Sequence, residues 1–214
     1  MTMDHRGGTG TVLLASGNLH KLREFREATA GRGLTVLGAD EVGGLPPVVE
    51  DGRTFAENAI KKATEVARRF DLPVIADDSG LSVSALGGAP GVRSARYAGP
   101  AASDRENLEK LLAEMRGVED RRACFVCVLA VATRTGLHGT LEGRVEGRIA
   151  RIARGERGFG YDPVFIPEGF EQTFAELPAA AKHRISHRGR ALQALVNGEK
   201  GLLEAIQQAG AGKA

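Results

Sequence analysis

The sequence has few cysteines, no long apolar segment and no tract of like charges, and each absence excludes a class of protein. Cys124 and Cys127 form a lone C-x-x-C with no second pair and no histidine cluster, so a zinc site lacks ligands. The longest apolar run, 123–132, is about half of what spans a bilayer. Residues 1–10 lack the apolar stretch of a secretory signal. We therefore expect a cytoplasmic protein without a membrane partner, with both cysteines buried in a strand and a redox pair as the alternative.

Charge and composition narrow the class further. The 29 basic and 27 acidic residues give a net charge of +2, too balanced for a dedicated nucleic-acid binder, so we expect no nucleic-acid partner. The hydrophobic share of 42% is ordinary for a globular protein, and there is no low-complexity tract. The 29 glycines predict tight turns or close approaches of backbone to a ligand. We expect a flexible tail over 1–10 and a single domain over 11–214.

Apolar runs alternate with helical patterns, which predicts an α/β fold with helices packed on a sheet. Capping boxes at Thr54 and Ser103, each followed by glutamate three residues later, mark two helix starts. The predicted strands are 11–15, 34–37, 73–76, an extended 81–86, 123–133 and a polar-alternating hairpin over 137–152. The first predicted helix follows residue 18. Two more run from 54 to about 70 and from 103 to about 116, and the tail from 175 is helical with breaks near 178 and 198.

The turn SGNLHK leaves the first strand and enters the first helix. Such a turn directs backbone N–H groups and a helix N-terminus at one point, which favours an anion, and Lys21 adds a full positive charge. The spacing is not that of a P-loop. On these residues alone, an ordinary helix cap with a solvated lysine remains an alternative.

Adjacent carboxylates occur at two places. Asp77 and Asp78 follow an apolar strand, where unused buried charges would cost stability, and hard oxygen ligands suit Mg²⁺. Because neighbours on a strand point to opposite faces, one can bind metal while the other holds the loop; which role Asp77 takes stays open. The spacing differs from the D-x-D of nucleophile phosphatases, and a structural Asp turn is the alternative. Glu50, with Asp51 after it, is a candidate for another metal ligand.

The remaining candidate residues are cationic or aromatic. Lys62 is free to bind an anion, whereas Lys61 is expected to pair with Glu57 one turn earlier. Phe159 lies between glycines, where it can stack on a flat ring, and Asp162 can accept hydrogen bonds from ring N–H groups. Further donors precede the last helices at Lys182, His187 and Arg188. The alternatives are that the segment around Phe159 only anchors a loop and that His187 is a structural histidine. The sequence contains neither the G-x-S-x-G nucleophile elbow of hydrolases nor the H-E-x-x-H helix motif of metalloproteases.

Taken together, these segments resemble the inosine/xanthosine triphosphate pyrophosphatases, which remove deaminated purine nucleotides. The matching stretches are SGNLHK, EDGRTFAENAIKKA, ADDSGLSV, GGAPGVRSARYAG, GFGYDP and ISHRG, which occur in the family's order over about residues 11 to 195. Ser16 stands where threonine is common, His20 occupies a variable position, and about ten extra residues precede the first strand. None of these differences removes a functional side chain.

The resemblance implies a mixed, twisted α/β sheet with flanking helices and two lobes, with the active site in the cleft between them, and a homodimer. It implies Mg²⁺-dependent hydrolysis of a nucleoside triphosphate to the monophosphate and pyrophosphate. It places Mg²⁺ on Glu50 and Asp78, with Asp78 also accepting a proton from the attacking water. The residues expected to bind substrate are Ser16, Gly17, Asn18, Leu19, His20, Lys21 and Lys62 at the triphosphate, Ser79 beside it, and Phe159, Gly160, Tyr161, Asp162, Lys182, His187 and Arg188 at the base.

Base selectivity follows from hydrogen-bond chemistry. Hypoxanthine and xanthine carry a carbonyl at C6, where donors such as Lys182 and Arg188 would favour it over the amino group of adenine. Guanine shares the carbonyl, so its rejection must depend on the 2-amino group, in a way that the sequence does not specify. Two other functions stay open at this point: a pyrophosphatase for modified pyrimidine nucleotides, and a non-enzymatic nucleotide or RNA binder. The acidic pairs and the lack of basic–aromatic stripes argue against the second.

Overall fold

A six-stranded mixed sheet organises the chain, of which the computed structural model describes residues 10–210. The sheet order is β2-β1-β3-β4-β5-β6. Strands β2, β1 and β3 are parallel, and β3 through β6 are antiparallel. The strands are β1 Gly10–Leu14, β2 Leu34–Leu37, β3 Val74–Val83, β4 Arg122–Thr133, β5 Gly136–Ile149 and β6 Phe165–Pro167.

Six α-helices within residues 10–210 flank this sheet, and two of them start at the capping signals predicted from the sequence. The hydroxyl of Thr54 accepts from the backbone N–H of Glu57 at 3.1 Å, and Ser103 forms a complete capping box with Glu106. The carboxylate of Glu57 accepts from the backbone N–H of Arg53 at 2.7 Å. The helices are α1 Leu19–Thr29, α2 Phe55–Arg69, α3 Asp104–Glu114, α4 Ala179–Ile185, α5 His187–Val196 and α6 Leu202–Gly210.

The long strands β3, β4 and β5 pass from one hydrophobic core to another. At one end, helices α1, α5 and α6 cover one face around Phe25 and Leu129, while α2 covers the opposite face around Ala63 and Val128. At the other end, α3 and the segment after β6 enclose a separate core around Phe165. The fold is therefore the mixed α/β sheet with flanking helices that the sequence predicts, with its cores at the two ends of the long strands.

Two strand predictions are wrong. The strand β3 does not end at Asp77 but continues to Val83, with residues 74–83 paired to β4 throughout. The predicted hairpin over 137–152 is a single strand, β5, paired along its length with β4. In both places polar residues suggest that the strand ends or turns. The polar residues of β3 have partners on other elements, and those of β5 alternate with buried residues, so that they lie on one face of the sheet.

The cysteine prediction is confirmed. Both Cys124 and Cys127 lie in β4, are buried, and are free thiols. The predicted N-terminal tail lies outside the described residues except for Gly10, with which β1 begins. None of the helices within residues 10–210 is both long and apolar enough to cross a bilayer.

The contact between α5 and β5 depends on Gly143. A Cβ atom there would lie 2.0 Å from the carbonyl oxygen of His187 and 2.6 Å from the backbone nitrogen of Ala191. We predict that Gly143→Ala lowers the free energy of unfolding by about 3 kcal/mol, because α5 must move off the sheet. Urea denaturation measures this change. Glu142→Ala, exposed on the same strand, is the control, and equal stability of the two variants would contradict this packing.

Candidate active site

The candidate site lies midway along β3, where the strand passes between the two cores. Ile75 belongs to the core under α1 and α5, whereas Leu81 belongs to the core under α3. The polar residues between them are Asp77, Asp78 and Ser79. Because side chains alternate along a strand, Asp77 and Ser79 point to the α1 and α5 face, and Asp78 points to the α2 face.

The N-terminus of α1 lies next to this strand. The side chain of Asn18 caps the helix, accepting from the backbone N–H groups of His20 at 2.9 Å and Lys21 at 3.2 Å. The hydroxyl of Ser16 accepts from the N–H of Asn18 at 3.2 Å. The first turn of α1 contains no acidic residue. The turn therefore presents a positive helix end and one lysine towards the cleft, as an anion site requires.

Asp77 is a buried anchor for several of these groups. Its side chain is fully buried and forms an ion pair with Lys21 through Oδ1. Its Oδ2 accepts from Nε of Arg188 at 2.7 Å and from the thiol of Cys127 at 3.3 Å. Ser79 donates its hydroxyl to Oδ1 at 3.0 Å and accepts from Nη2 of Arg188 at 2.9 Å. One carboxylate thus connects α1, β3, β4 and α5.

The charge of Asp77 is held by its cationic partners. Burial alone would raise the pKa of this carboxyl, but the Arg188 guanidinium and the Lys21 ammonium hold it well below its usual range. Both oxygens are occupied by protein donors, so a metal ion would have to displace them. These bonds favour the role of Asp77 in holding the site together over the role of a metal ligand.

Asp78 lies in a different environment on the α2 face. It is 7% exposed, and its pKa is raised from 3.8 to about 6, first by burial and further by the nearby Glu50. Lys62 opposes this rise and also bonds Glu50 at 2.6 Å. The ammonium of Lys62 additionally donates to the carbonyl oxygen of Asp77 at 3.3 Å. The carboxylates of Asp78 and Glu50 and the ammonium of Lys62 therefore lie together in a partly buried environment.

The predicted pairing of Lys61 is wrong. Lys61 does not pair with Glu57 but forms an exposed salt bridge to Asp51 at 2.6 Å. The carboxylate of Glu57 is instead taken by the backbone N–H of Arg53. Lys61 and Asp51 thus hold the 50–52 segment against α2 from its solvent side.

The donor set at Asp78 fits a divalent cation. Its Oδ2 atom is buried and has no hydrogen-bond partner among the described residues, and Glu50 is close enough to raise its pKa. Carboxylate oxygens are the ligands that Mg²⁺ prefers, and a cation here would relieve the repulsion between the two carboxylates. Within residues 10–210 no cluster of three or more His, Cys, Asp or Glu side chains is present, so water and substrate oxygens would complete the coordination.

A cavity of about 130 Å³ opens beside Ser79, next to this acidic site. Its walls include Phe159, and Lys182 lies with Nζ 5.1 Å from the centre of that ring. Lys182 is buried and bonds Oδ2 of Asp162 at 2.6 Å. The predicted residues that line the cavity are Asn18, Lys21, Ser79, Phe159, Gly160, Tyr161, Asp162, Lys182, His187 and Arg188.

The other predicted residues lie around the cavity. Ser16, Gly17 and Leu19 belong to the turn at α1, and Lys62, Glu50 and Asp78 lie on the α2 side of β3. The imidazole of His20 stacks on Phe159, with ring centres 5.3 Å apart and planes 16° from parallel. The structure thus brings the predicted residues together from five distant parts of the chain.

His187 forms part of the cavity wall as a neutral ring. It stacks on Phe125 at 4.6 Å between ring centres, with the planes 9° apart. Burial and the neighbouring Arg188 charge hold the pKa of His187 well below its usual range. Its Nδ1 atom is buried and unpartnered within the described part of the chain. A neutral, unsatisfied ring nitrogen beside a cavity can hydrogen-bond a ligand.

The sequence analysis misses Glu24. This carboxylate, one turn after Lys21 on α1, is 9% exposed and accepts from Nη1 of Arg188 at 2.6 Å. It also lies 3.7 Å from the ammonium of Lys182. Its position on the same helix side as Phe25 and Lys21 is a detectable signal, because an acid on a buried face needs a cationic partner.

A second cavity, of about 450 Å³, lies between α1 and α5. It includes Glu24, Glu27, His183 and Arg184, and of the predicted site residues it includes Arg188. The second cavity is larger than the first, but the first is lined by the Phe159 ring, by residues at the N-terminus of α1 and by Ser79, the neighbour of Asp78 on β3. We therefore place the candidate site at the smaller cavity.

Fold and site together define an α/β protein whose candidate site combines a helix N-terminus with a cavity walled by an aromatic ring. The Ham1 family model matches residues 12–198, and the chain belongs to this family. It is 49% identical over 181 residues to a dITP/XTP pyrophosphatase of Desulfotalea psychrophila, covering 85% of this chain and 81% of the relative. It is 49% identical over 186 residues to the dITP/XTP pyrophosphatase of Bacillus subtilis, covering 86% and 94%.

A solved structure shows the same fold. The Staphylococcus aureus Ham1 protein superposes with a TM-score of 0.80 at 41% identity, covering 89% of this chain and 98% of that one. The family resemblance read from the sequence motifs is therefore confirmed.

We predict that Asp77→Asn lowers the free energy of unfolding by about 3 kcal/mol, because it leaves the buried Arg188 guanidinium without its main partner. Chemical denaturation at neutral pH gives the value. Asp51→Asn is the matched control: it breaks an exposed salt bridge to Lys61 and should cause no measurable change. Equal effects of the two substitutions would refute the role of Asp77 as an anchor.

Asp78→Asn has the opposite effect on stability. A carboxyl whose pKa rises from 3.8 unfolded to about 6 folded makes the native state lose stability as pH increases through that window. In chelator we expect the variant to match the native protein near pH 4 and to be up to about 3 kcal/mol more stable at pH 8. Denaturation curves across this range test the sign, and a variant that is less stable at pH 8 would contradict it.

Proposed function

We propose that this protein hydrolyses ITP, dITP and XTP to the monophosphate and pyrophosphate, and so clears deaminated purines from the nucleotide pool. Relatives named dITP/XTP pyrophosphatase share about half of the residues over most of both chains. The observation that carries the proposal is Asp78 with its raised pKa, lying between a helix N-terminus with Lys21 and the side chains of Lys62 and Glu50. This arrangement suits phosphoanhydride hydrolysis.

The metal belongs to the proposal. Glu50 and Asp78 would hold Mg²⁺, which supplies neutralisation of phosphate charge when it is bound. Lys21, Lys62 and the backbone N–H groups of 16–21 would bind the triphosphate oxygens. Asp78 would accept a proton from the attacking water, and its pKa of about 6 suits a base that works near neutral pH.

The base end of the proposal depends on Phe159 and the buried cations. Phe159 would stack on the purine. The bonds of Arg188 to Asp77, Glu24 and Ser79 engage three of its five N–H groups among the described residues, which leaves donors for a ligand. Lys182 is oriented by Asp162 and lies over the Phe159 ring. Donors held in this way favour a C6 carbonyl and oppose an amino group.

The resemblance also supports a homodimer and a cytoplasmic location, which we include in the proposal. Three apolar side chains of the described residues, Leu19, Val49 and Ile152, are 68–69% exposed on the isolated chain. Sedimentation of the purified protein measures the oligomeric state.

Pyrophosphate release from ITP, XTP, GTP, ATP and dUTP tests the reaction, with Mg²⁺ and with chelator. We expect Mg²⁺-dependent turnover of ITP and XTP with kcat/KM at least about 100-fold above that of ATP. Asp78→Asn should lower kcat by about 10³-fold, because the proton acceptor is lost, while Glu142→Ala, exposed on β5, keeps native turnover. Turnover restricted to dUTP, or ITP binding without turnover, would overturn the proposal.

A further inference from the structure

Asn58 on α2 is a fully buried side chain for which neither the reaction nor the fold account gives a role. Its Oδ1 atom accepts from the backbone N–H of Gly52 at 2.8 Å. Its Nδ2 atom is buried and lacks a hydrogen-bond partner in the described part of the chain. An unsatisfied buried amide donor costs stability, so its retention needs another explanation.

The unpartnered amide lies beside the unpartnered carboxylate. Oδ2 of Asp78 is a buried carboxylate oxygen that also has no hydrogen-bond partner among residues 10–210. Asn58 is near enough to act as a donor that lowers the pKa of Asp78. The amide of Asn58 and the carboxylate of Asp78 are therefore neighbours, and the charge of Glu50 acts on the same carboxylate.

The side-chain oxygen of Asn58 holds the segment that contains Glu50. Gly52 follows Glu50 by two residues, and a Cβ on Gly52 would lie 2.6 Å from Oδ1 of Asn58. The segment is held further by Arg96, whose Nη2 donates to the carbonyl oxygen of Glu50 at 3.0 Å. Asn58 therefore contacts both the strand with Asp78 and the loop with Glu50.

We propose that Asn58 is a positioning residue that sets the separation of the Glu50 and Asp78 carboxylates and so prepares them for a divalent cation. The inference rests on the proposed metal at these two residues and names the side chain that presets them. A buried amide whose oxygen is bonded to the loop and whose nitrogen adjoins the strand limits how far the carboxylates can move apart. Residues that orient metal ligands in this way typically change metal affinity by 10-fold to 100-fold when replaced.

Direct Mn²⁺ binding to the nucleotide-free protein, by isothermal titration or electron paramagnetic resonance, tests the inference. We expect Asn58→Ala to weaken Mn²⁺ binding by about tenfold. In turnover assays the same variant should need about tenfold more Mg²⁺ for half-maximal rate, while the KM for ITP at saturating Mg²⁺ changes less than about twofold.

Asn107→Ala is the matched control for stability. Asn107 is equally buried on α3, where it accepts from the N–H of Ala98 and donates to the carbonyl oxygen of Ala95. We expect Asn107→Ala to lower the melting temperature at least as much as Asn58→Ala while leaving the Mn²⁺ affinity unchanged. A loss of Mn²⁺ affinity common to both variants would show a general loss of structure and would overturn the inference.

Gly52→Ala approaches the same contact from the loop and keeps the test decisive if Asn58→Ala does not fold. The added methyl group displaces the Asn58 amide, so Mn²⁺ binding should weaken in the native background and change less when Asn58 is already alanine. Native-like Mn²⁺ affinity in Asn58→Ala or in Gly52→Ala would refute the role of Asn58. Failure of the native protein to bind Mn²⁺ with or without nucleotide would refute the proposed metal, and the inference with it.

Discussion

The buried ion pair between Asp77 and Arg188 is the interaction on which the rest of the site depends. Burying two charges costs several kcal/mol, and the pair persists because each partner is bonded further, Asp77 to Lys21 and Arg188 to Glu24. These bonds fix α1 and α5 on the same side of β3. The N-terminus of α1 at Lys21 and the cavity wall at Arg188 are therefore held at a fixed separation.

The alternation of a β-strand then assigns different roles to two adjacent aspartates. Asp77 is surrounded by cations, and its charge is stabilised. Asp78 points to the other face, where burial and Glu50 disfavour its charge. The first residue stabilises the fold, whereas the second retains an unfavourable charge that a cation and a phosphate substrate would use. Strain of this kind is typical of catalytic groups.

Local chemistry explains which parts of this structure the sequence predicts. Helix starts at Thr54 and Ser103 follow from short-range caps, and the strand β4 follows from its apolar run. The continuation of β3 through Asp77 could not be predicted, because the partners that stabilise the carboxylate, Lys21 and Arg188, lie 56 and 111 residues away.

The same limit applies to the site. The motifs identify the side chains with charge or aromatic rings, since those residue types stand out in sequence. Asn58 escapes attention because a single amide within a helix pattern is ordinary as a local feature, and the one local sign of Glu24 is its place on the helix side of Phe25. Their roles arise from burial against groups on other elements, which requires the fold.

A crystal structure with Mn²⁺ and a non-hydrolysable inosine triphosphate analogue tests the central claim most directly, since anomalous scattering locates the metal. The account predicts the metal on Glu50 and Asp78, the phosphates at Lys21 and Lys62, and the base on Phe159. Metal bound by Asp77, or a nucleotide in the larger cavity between α1 and α5, would contradict it.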